Sequence, residues 1–299
     1  MILSSPDNKQ NSSLNRTGYY PLIIAVLLSV LLSACGPSKT IRTTHAGGPL
    51  PVTGALSQWP DEIRRGEQLS ELDYYVTNDD EFLYLLINFK NNRLYQNALR
   101  FGFTVYLDGD TGFKQSFGIT YPAGILYGLS PIPGAQKSYL ENPGWAAIPE
   151  NARLLQSIED QMHEQALIIS RSNSKAPIIP VPVNFNNLRA QDLDLVMNRT
   201  GNVMTLEMKV PIVGTRARQF AIDPGGNTFL LGFEIKPPSY EEVTGENPAP
   251  VTADSRQSQY DPYGRSRPGN TQQISNPALY YQLSETYSRW IKVQLDRRK

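Results

Sequence analysis

Phe101-Gly102-Phe103-Thr104-Val105-Tyr106-Leu107-Asp108 and Phe117-Gly118-Ile119-Thr120-Tyr121 decide the fold. In each segment every second residue is apolar: Phe101, Phe103, Val105, Leu107, then Phe117, Ile119, Tyr121. That two-residue period is the mark of a strand with one face in a core. Asp108-Gly109-Asp110-Thr111-Gly112 lies between them, built from residues that tolerate positive φ and close tight turns. The pattern predicts a β-hairpin.

Strands continue on both sides of it. Upstream, Phe82-Leu83-Tyr84-Leu85-Leu86-Ile87-Asn88-Phe89 is apolar on both faces, as a central strand covered on each side must be. Leu72, Tyr74 and Val76 alternate before it, and Thr53 to Pro60 reads as a turn leading into a buried Trp59. Downstream, Ala166–Ser170, a weaker segment with Leu193, Leu195 and Met197, and Phe229, Leu231, Phe233, Ile235 are further candidates. Met204, Leu206, Met208, Val210 and Ile212 show the cleanest alternation. Thr205, Glu207 and Lys209 on the opposite face predict that this strand is solvated on one side. Ile291, Val293 and Leu295 close the chain in a strand paired within a sheet. One segment has helical spacing instead: Leu154, Leu155, Ile158 and Met162 follow Pro149, predicting a helix over about 150–163. Pro237 to Asn276 has no period and reads as a mobile insertion. The expected fold is all-β: a two-sheet antiparallel β-sandwich, jelly-roll-like, with one inserted short helix and a long irregular insertion near the C-terminus.

Composition agrees. The 299 residues are 40% hydrophobic, with 16 Tyr and 10 Phe, enough for a sizeable core. The 23 Pro and 22 Gly suit a loop-rich β protein. Formal net charge is zero, so there is no global basic surface to track a phosphate backbone, and nucleic acid is excluded as the expected partner.

The single cysteine sits in a telling place. Lys9 and Arg16 precede the apolar run Leu22–Leu32, followed by Ser33-Ala34-Cys35-Gly36. The run falls short of the roughly 20 residues that span a bilayer as a helix, and has the order of a secretory signal. Leu32-Ser33-Ala34-Cys35 resembles the bacterial lipobox, which implies acylation of Cys35 as the first residue of the mature chain. An ordinary signal peptide with an incidental cysteine, or a short membrane anchor, is the alternative. The expected organisation is a signal peptide over 1–34, a lipidated, palmitate-bearing tether over 35–51 and a sandwich over 52–299. Gly36 rather than Asp after the cysteine implies, for lipoproteins of this kind, an outer-membrane location, with the sandwich facing the periplasm.

The order of motifs resembles the family 9 carbohydrate-binding modules and their DOMON-like relatives. The resemblance is carried by Gly54-Ala55-Leu56-Ser57-Gln58-Trp59, Thr77 to Tyr84, Gly102 to Asp108, Phe117 to Pro122 and Trp290-Ile291-Lys292-Val293. It implies a β-sandwich, and a role in sugar binding among several roles such domains serve, haem binding included.

A sugar site needs aromatic faces with a few orienting polar groups. Trp145, in a loop rich in Pro and Gly and downstream of Tyr121, Tyr127 and Tyr139, is the candidate platform. The competing reading packs Trp145 into the core, as is expected of Trp59 and Trp290. Asp108 and Asp110 have the alternate-oxygen spacing of a calcium loop, although Ile119 stands where an EF-hand needs its bidentate Glu, and a tight turn wants the same residues. Asn78-Asp79-Asp80-Glu81 poses the same choice and reads as a solvated turn. Catalytic equipment is thin. His45 and His163 lie far apart in sequence, and Asp192/Asp194, Glu159/Asp160 and Glu241/Glu242 have no distinguishing spacing. Haem ligation by His163 is the remaining cofactor reading. These observations point to a non-catalytic binding or scaffolding sandwich whose partner is a glycan or an envelope protein, with an envelope hydrolase acting on glycans as the alternative.

Overall fold

The structure is a computed structural model and describes residues 40–109, 113–200, 203–244 and 284–297. Twelve strands form two sheets among these residues. The first sheet contains β1 (Thr40–Arg42), β5 (Thr104–Asp108), β6 (Phe117–Thr120), β7 (Gln165–Ser170), β8 (Val181–Asn184), β11 (Thr228–Ile235) and β12 (Tyr287–Gln294). Its spatial order is β1-β12-β11-β5-β6-β7-β8. The second contains β2 (Arg65–Gln68), β3 (Leu72–Asn78), β4 (Phe82–Phe89), β9 (Asp194–Thr200) and β10 (Val203–Pro211), in the order β2-β3-β4-β10-β9. All pairings are antiparallel except β1 with β12, which run parallel. The hairpin expected from residues 101–121 is present as β5 and β6, in register Val105↔Ile119.

One core lies between the sheets. Tyr74, Leu85, Ile87, Leu206 and Met208 from one sheet meet Phe103, Val105, Ile119, Leu231, Phe233 and Val293 from the other. Aromatic rings bridge the two: Tyr74 and Phe89 lie 5.2 Å from Phe233 and 5.1 Å from Phe103 respectively, both tilted edge to face. This is the all-β sandwich that the alternation implied.

The sequence expectations need correction in four places. The first described residues, from Thr40, are already part of the fold, rather than those from near residue 52, because β1 pairs with the final strand. Beyond it, Asn78 receives Thr43 Oγ1 and the Asp296 amide on one side-chain oxygen, which fastens the segments around Thr43 and Asp296 together. Residues 40–51 are therefore not tether.

The helix content is also larger than the single helix expected. Besides α4 (Pro149–Met162), the structure has α1 (Asn92–Phe101), α2 (Ile125–Leu129), α3 (Ala135–Glu141), α5 (Phe185–Arg189) and α6 (Tyr240–Thr244). Asn91 caps α1 by accepting the Arg93 and Leu94 amides. Leu94, Asn97 and Ala98 of α1 are buried, and Tyr95 and Phe101 pack half-buried against the core beside them. Gly102 ends it at φ +90°, with Gly124 packed so closely that a Cβ there would lie 2.4 Å from the Gly102 nitrogen. Tyr240 of α6 is buried, so the expected insertion begins as structure, and its residues from 245 to 276 lie outside those described.

Finally, the strand expected to be solvated on one face is covered there. Glu207 of β10 is fully buried. Its carboxylate accepts the amides of Thr53 (2.7 Å) and Gly54 (2.6 Å) and the indole N–H of Trp59 (2.7 Å). Trp59 in turn packs on Tyr84 and Leu86, the outward residues of β4. A strap over residues 50–59 thus closes the outer face of the five-stranded sheet, and three donors replace the water that the carboxylate gave up.

Glu207→Ala leaves three buried donors unmatched and is expected to lower the unfolding free energy by roughly 3 kcal/mol or more. Denaturant unfolding with tryptophan fluorescence checks this, and Glu207→Gln should retain part of the stability because one acceptor oxygen remains.

Candidate functional site

The outer face of the seven-stranded sheet is built differently. Its pairing aligns one row across five strands: Trp290 of β12 opposite Gly232 of β11, Gly232 opposite Tyr106 of β5, Tyr106 opposite Gly118 of β6, and Gly118 opposite Ile169 of β7. Side chains of such pairs share a face of the sheet. Each aromatic residue in the row therefore has a glycine beside it.

The glycines let the rings lie flat. A Cβ on Gly232 would sit 2.7–2.8 Å from three consecutive atoms of the Trp290 ring, Cε3, Cζ3 and Cη2, which places it over the ring face rather than its edge. A Cβ on Gly118 would likewise meet Tyr106 Cδ1 and Cε1 at 2.7 and 2.8 Å. The two rings are nearly parallel and offset-stacked, 17° apart in plane with centroids at 5.5 Å. Tyr106 is buried and Trp290 half-buried, so the indole is the part of this aromatic ledge that solvent reaches.

Polar groups frame it. Gln115 donates its amide to the Glu234 carboxylate, with 3.1 Å to the nearer oxygen. Burial pushes the Tyr106 phenol well above its ordinary range, and the neighbouring Glu234, which accepts a hydrogen bond from it, pushes it further. The Lys114 ammonium lies over the Trp290 ring, 4.8 Å from its centroid. Arg171 Nε donates to the Ala176 carbonyl, its guanidinium also reaches the Gln115 and Ser174 carbonyls, and it lies over Phe113. Next to the ledge, Phe113, Lys114, Thr228, Leu230 and Lys292 line an open cleft of about 500 Å³, within the size range of small-ligand sites.

The residues expected to form a platform lie elsewhere. Trp145 is only 8% exposed and packs with Leu126, Leu140, Ile158 and Tyr240 in a cluster formed by the helices. Tyr139 meets it edge-on at 6.0 Å. Tyr121 is buried against Phe185 at 5.3 Å, and Tyr127 packs beside Ala123, Met162 and Leu167. These four do not form one open surface, and the buried rings of Trp145 and Tyr121 present no face to a sugar. Trp59 is buried as expected, whereas Trp290, also expected in the core, is on the outer face.

Asp108 is fully buried and its oxygens are committed to the hairpin. It accepts the amides of Gln115, Ser116 and Phe117 and the Ser116 hydroxyl, so it organises the turn and has no outward oxygen for a cation. Asp110 lies outside the described residues, as does Cys35. In the 78–81 turn, Asp79 is likewise buried, accepting the Glu81 and Phe82 amides and the Tyr84 hydroxyl. Asp80 pairs with His45 at 2.9 Å. The carboxylate pairs do not converge on a cleft. Asp192 is bound by Arg218 and Asp194 by Arg189, Glu159 and Asp160 are exposed on α4, and Glu241 and Glu242 are exposed on α6.

No family model and no curated protein sequence matches the chain. Among solved structures, it is similar to a carbohydrate binding module of family 9 from Caldicellulosiruptor kristjanssonii in complex with glucose, at 10% identity and a TM-score of 0.31, covering 87% of this chain and 97% of that one. A family 9 module from the same organism in complex with cellotriose matches at 10% identity and a TM-score of 0.27, covering 68% of this chain and 79% of that one.

The buried tyrosines give the protein a pH signature. Tyr106 ionises far above the ordinary phenol value of 10.0, and burial pushes Tyr121 and Tyr287 up to about 12. Raised folded-state values mean that the native state holds its phenolic protons after the unfolded chain has lost them. Stability is therefore full below pH 10 and falls as pH rises from there through about 12. Phenolate absorbance is expected to show these tyrosines ionising only with unfolding, and an ordinary titration of all sixteen near 10 would contradict it.

Proposed function

We propose that this chain is a non-catalytic binding module of the bacterial cell envelope that takes a saccharide on the outer face of its seven-stranded sheet, with the Trp290 indole as stacking platform. The observation that supports this reading is the ledge itself. Half-exposed indole lies flat on the sheet, backed by Gly232 and Tyr106 and bordered by hydrogen-bonding groups on Gln115 and Glu234. Pyranose rings present flat C–H faces and a rim of hydroxyls, which need an apolar plane edged with donors and acceptors. Stacked on Tyr106 and seated over Gly232, the half-buried indole is held in one orientation before any ligand arrives.

The lipobox-like Leu32-Ser33-Ala34-Cys35 supports export and attachment through an acylated Cys35, which would present the module from the outer membrane towards the periplasm. Cys35→Ser is expected to move the protein from the membrane fraction to the soluble one, with mass spectrometry of the parent protein finding acyl chains on Cys35.

A glycan array tests the binding reading. Trp290→Ala is expected to abolish saccharide binding while the protein stays folded, at a smaller cost in stability than the loss of a core tryptophan, since the half-buried ring covers Gly232 on an outer face. Trp145→Ala is expected to lower stability by about 3–5 kcal/mol through an unfilled core position. Binding that survives Trp290→Ala would place the site elsewhere.

A further inference from the structure

Lys114 covers the ring face on which a sugar would stack. With the other face of the indole closed by Gly232, the ammonium 4.8 Å from the centroid occupies the side turned to solvent. Any stacking ligand must move it. An exposed cation–π contact contributes about 0.5–1 kcal/mol, so the displacement is feasible, but a neutral ligand recovers none of it electrostatically. An anionic ligand does, because the displaced ammonium can pair with the ligand's own charge.

The surroundings reinforce this. Lys292 lines the same cleft as Lys114, beside Leu230 and Thr228. Among the described residues neither ammonium has a carboxylate partner. The nearby Glu234 is held by Gln115 and Tyr106, and Asp108 is turned inward to the hairpin amides. Arg171, whose guanidinium reaches three backbone carbonyls, adds a further positive charge next to Phe113. In a chain of zero net charge, the described lining of the cleft beside the ledge carries two lysines and no carboxylate.

We infer that the ledge is selective for acidic saccharides, with a uronate-type sugar stacking on Trp290 while its carboxylate draws Lys114 off the ring and towards Lys292. This rests on the saccharide reading above and adds to it the class of sugar. Lys114 is then a gate as well as a ligand: it lowers affinity for neutral sugars and raises it for acidic ones, so selectivity comes from a penalty as well as a gain.

The full-length protein in detergent, titrated with oligogalacturonate and with its methyl-esterified neutral counterpart, tests this. Fluorescence suits the measurement because Trp59 and Trp145 are buried and Trp290 is half-exposed. The acidic sugar is expected to bind at least about tenfold more tightly in about 0.1 M salt, and the gap to close in about 1 M salt, where screening reaches roughly 3 Å. Lys114→Ala with Lys292→Ala should remove the preference, and Lys114→Ala alone should tighten binding of the neutral sugar. Equal affinities, or a preference that survives salt and both substitutions, overturn the inference. Neutral-sugar binding lost in Trp290→Ala but indifferent to Lys114→Ala overturns it while leaving the saccharide reading standing. Binding of neither sugar removes both.

Discussion

A β-sandwich solves only half of the burial problem that its strands create. Each sheet has two faces, and the shared core closes the inner one of each. The outer faces must be closed separately or made fit for water. In this protein the two outer faces are treated in opposite ways, and the location of the candidate site follows from that difference. The five-stranded sheet is covered by its own chain, the strap over residues 50–59 held down by Glu207. Among the described residues the seven-stranded sheet has no such strap over its centre, and it carries a row of glycines and aromatic rings.

The strap depends on an isolated carboxylate, which makes its energetics unusual. A buried Glu without donors would cost several kcal/mol, whereas one that accepts three short N–H bonds is held firmly and fixes what it holds. Thr205, next to it in β10, donates to the Gly54 carbonyl and to that of Asn198, so adjacent outward residues on one strand secure the strap at both polarities. Opposite Glu207 on β4 lies Leu86, which Trp59 covers. The apolar and polar outward positions of the two central strands thus serve one closure, and that explains why β4 could be apolar on both faces while β10 was not.

The aromatic row obeys a different logic. Glycine in a strand interior weakens it unless something takes the place of the missing side chain. Here the neighbouring ring does, Tyr106 over Gly118 and Trp290 over Gly232. The rings thereby support the sheet and become a flat surface in the same step. The hairpin places Lys114, Gln115 and Phe113 at its rim, and Asp108 fixes that rim by accepting three consecutive amides. The aspartate read from sequence as a candidate cation ligand is what positions the residues around the ledge.

Much of the fold was legible because alternation is a local property. Phe103-Val105-Leu107, Phe117-Ile119 and Met204-Leu206-Met208 declare an inner face without any partner being known. α1 follows helical spacing in Leu94, Tyr95, Ala98 and Phe101 behind the cap residue Asn91. It is, however, a single ten-residue element set between two strong strand signals, and Phe101 also fits the alternation that continues into β5. Trp145 was open to two readings, platform or packed ring, for a related reason, and the packed one holds. Proline and glycine around it mark a loop, but whether a loop aromatic points outward or under a neighbouring helix depends on Tyr240, nearly a hundred residues away in sequence. Gly118 and Gly232, each in the middle of an apolar strand, were the one local hint of the ledge, since glycine there signals a close approach.

The sequence by itself determined which residues alternate, where turns fall, that the net charge is zero and that the one cysteine follows an apolar run, because these are statements about neighbours along the chain. Only the tertiary structure decided that Trp290 lies over Gly232, that Glu207 is buried under Trp59 and that Lys114 covers an indole from a distant strand. Those facts depend on strand register and sheet order, and a side chain two strands away in a sheet can be more than a hundred residues away in the chain.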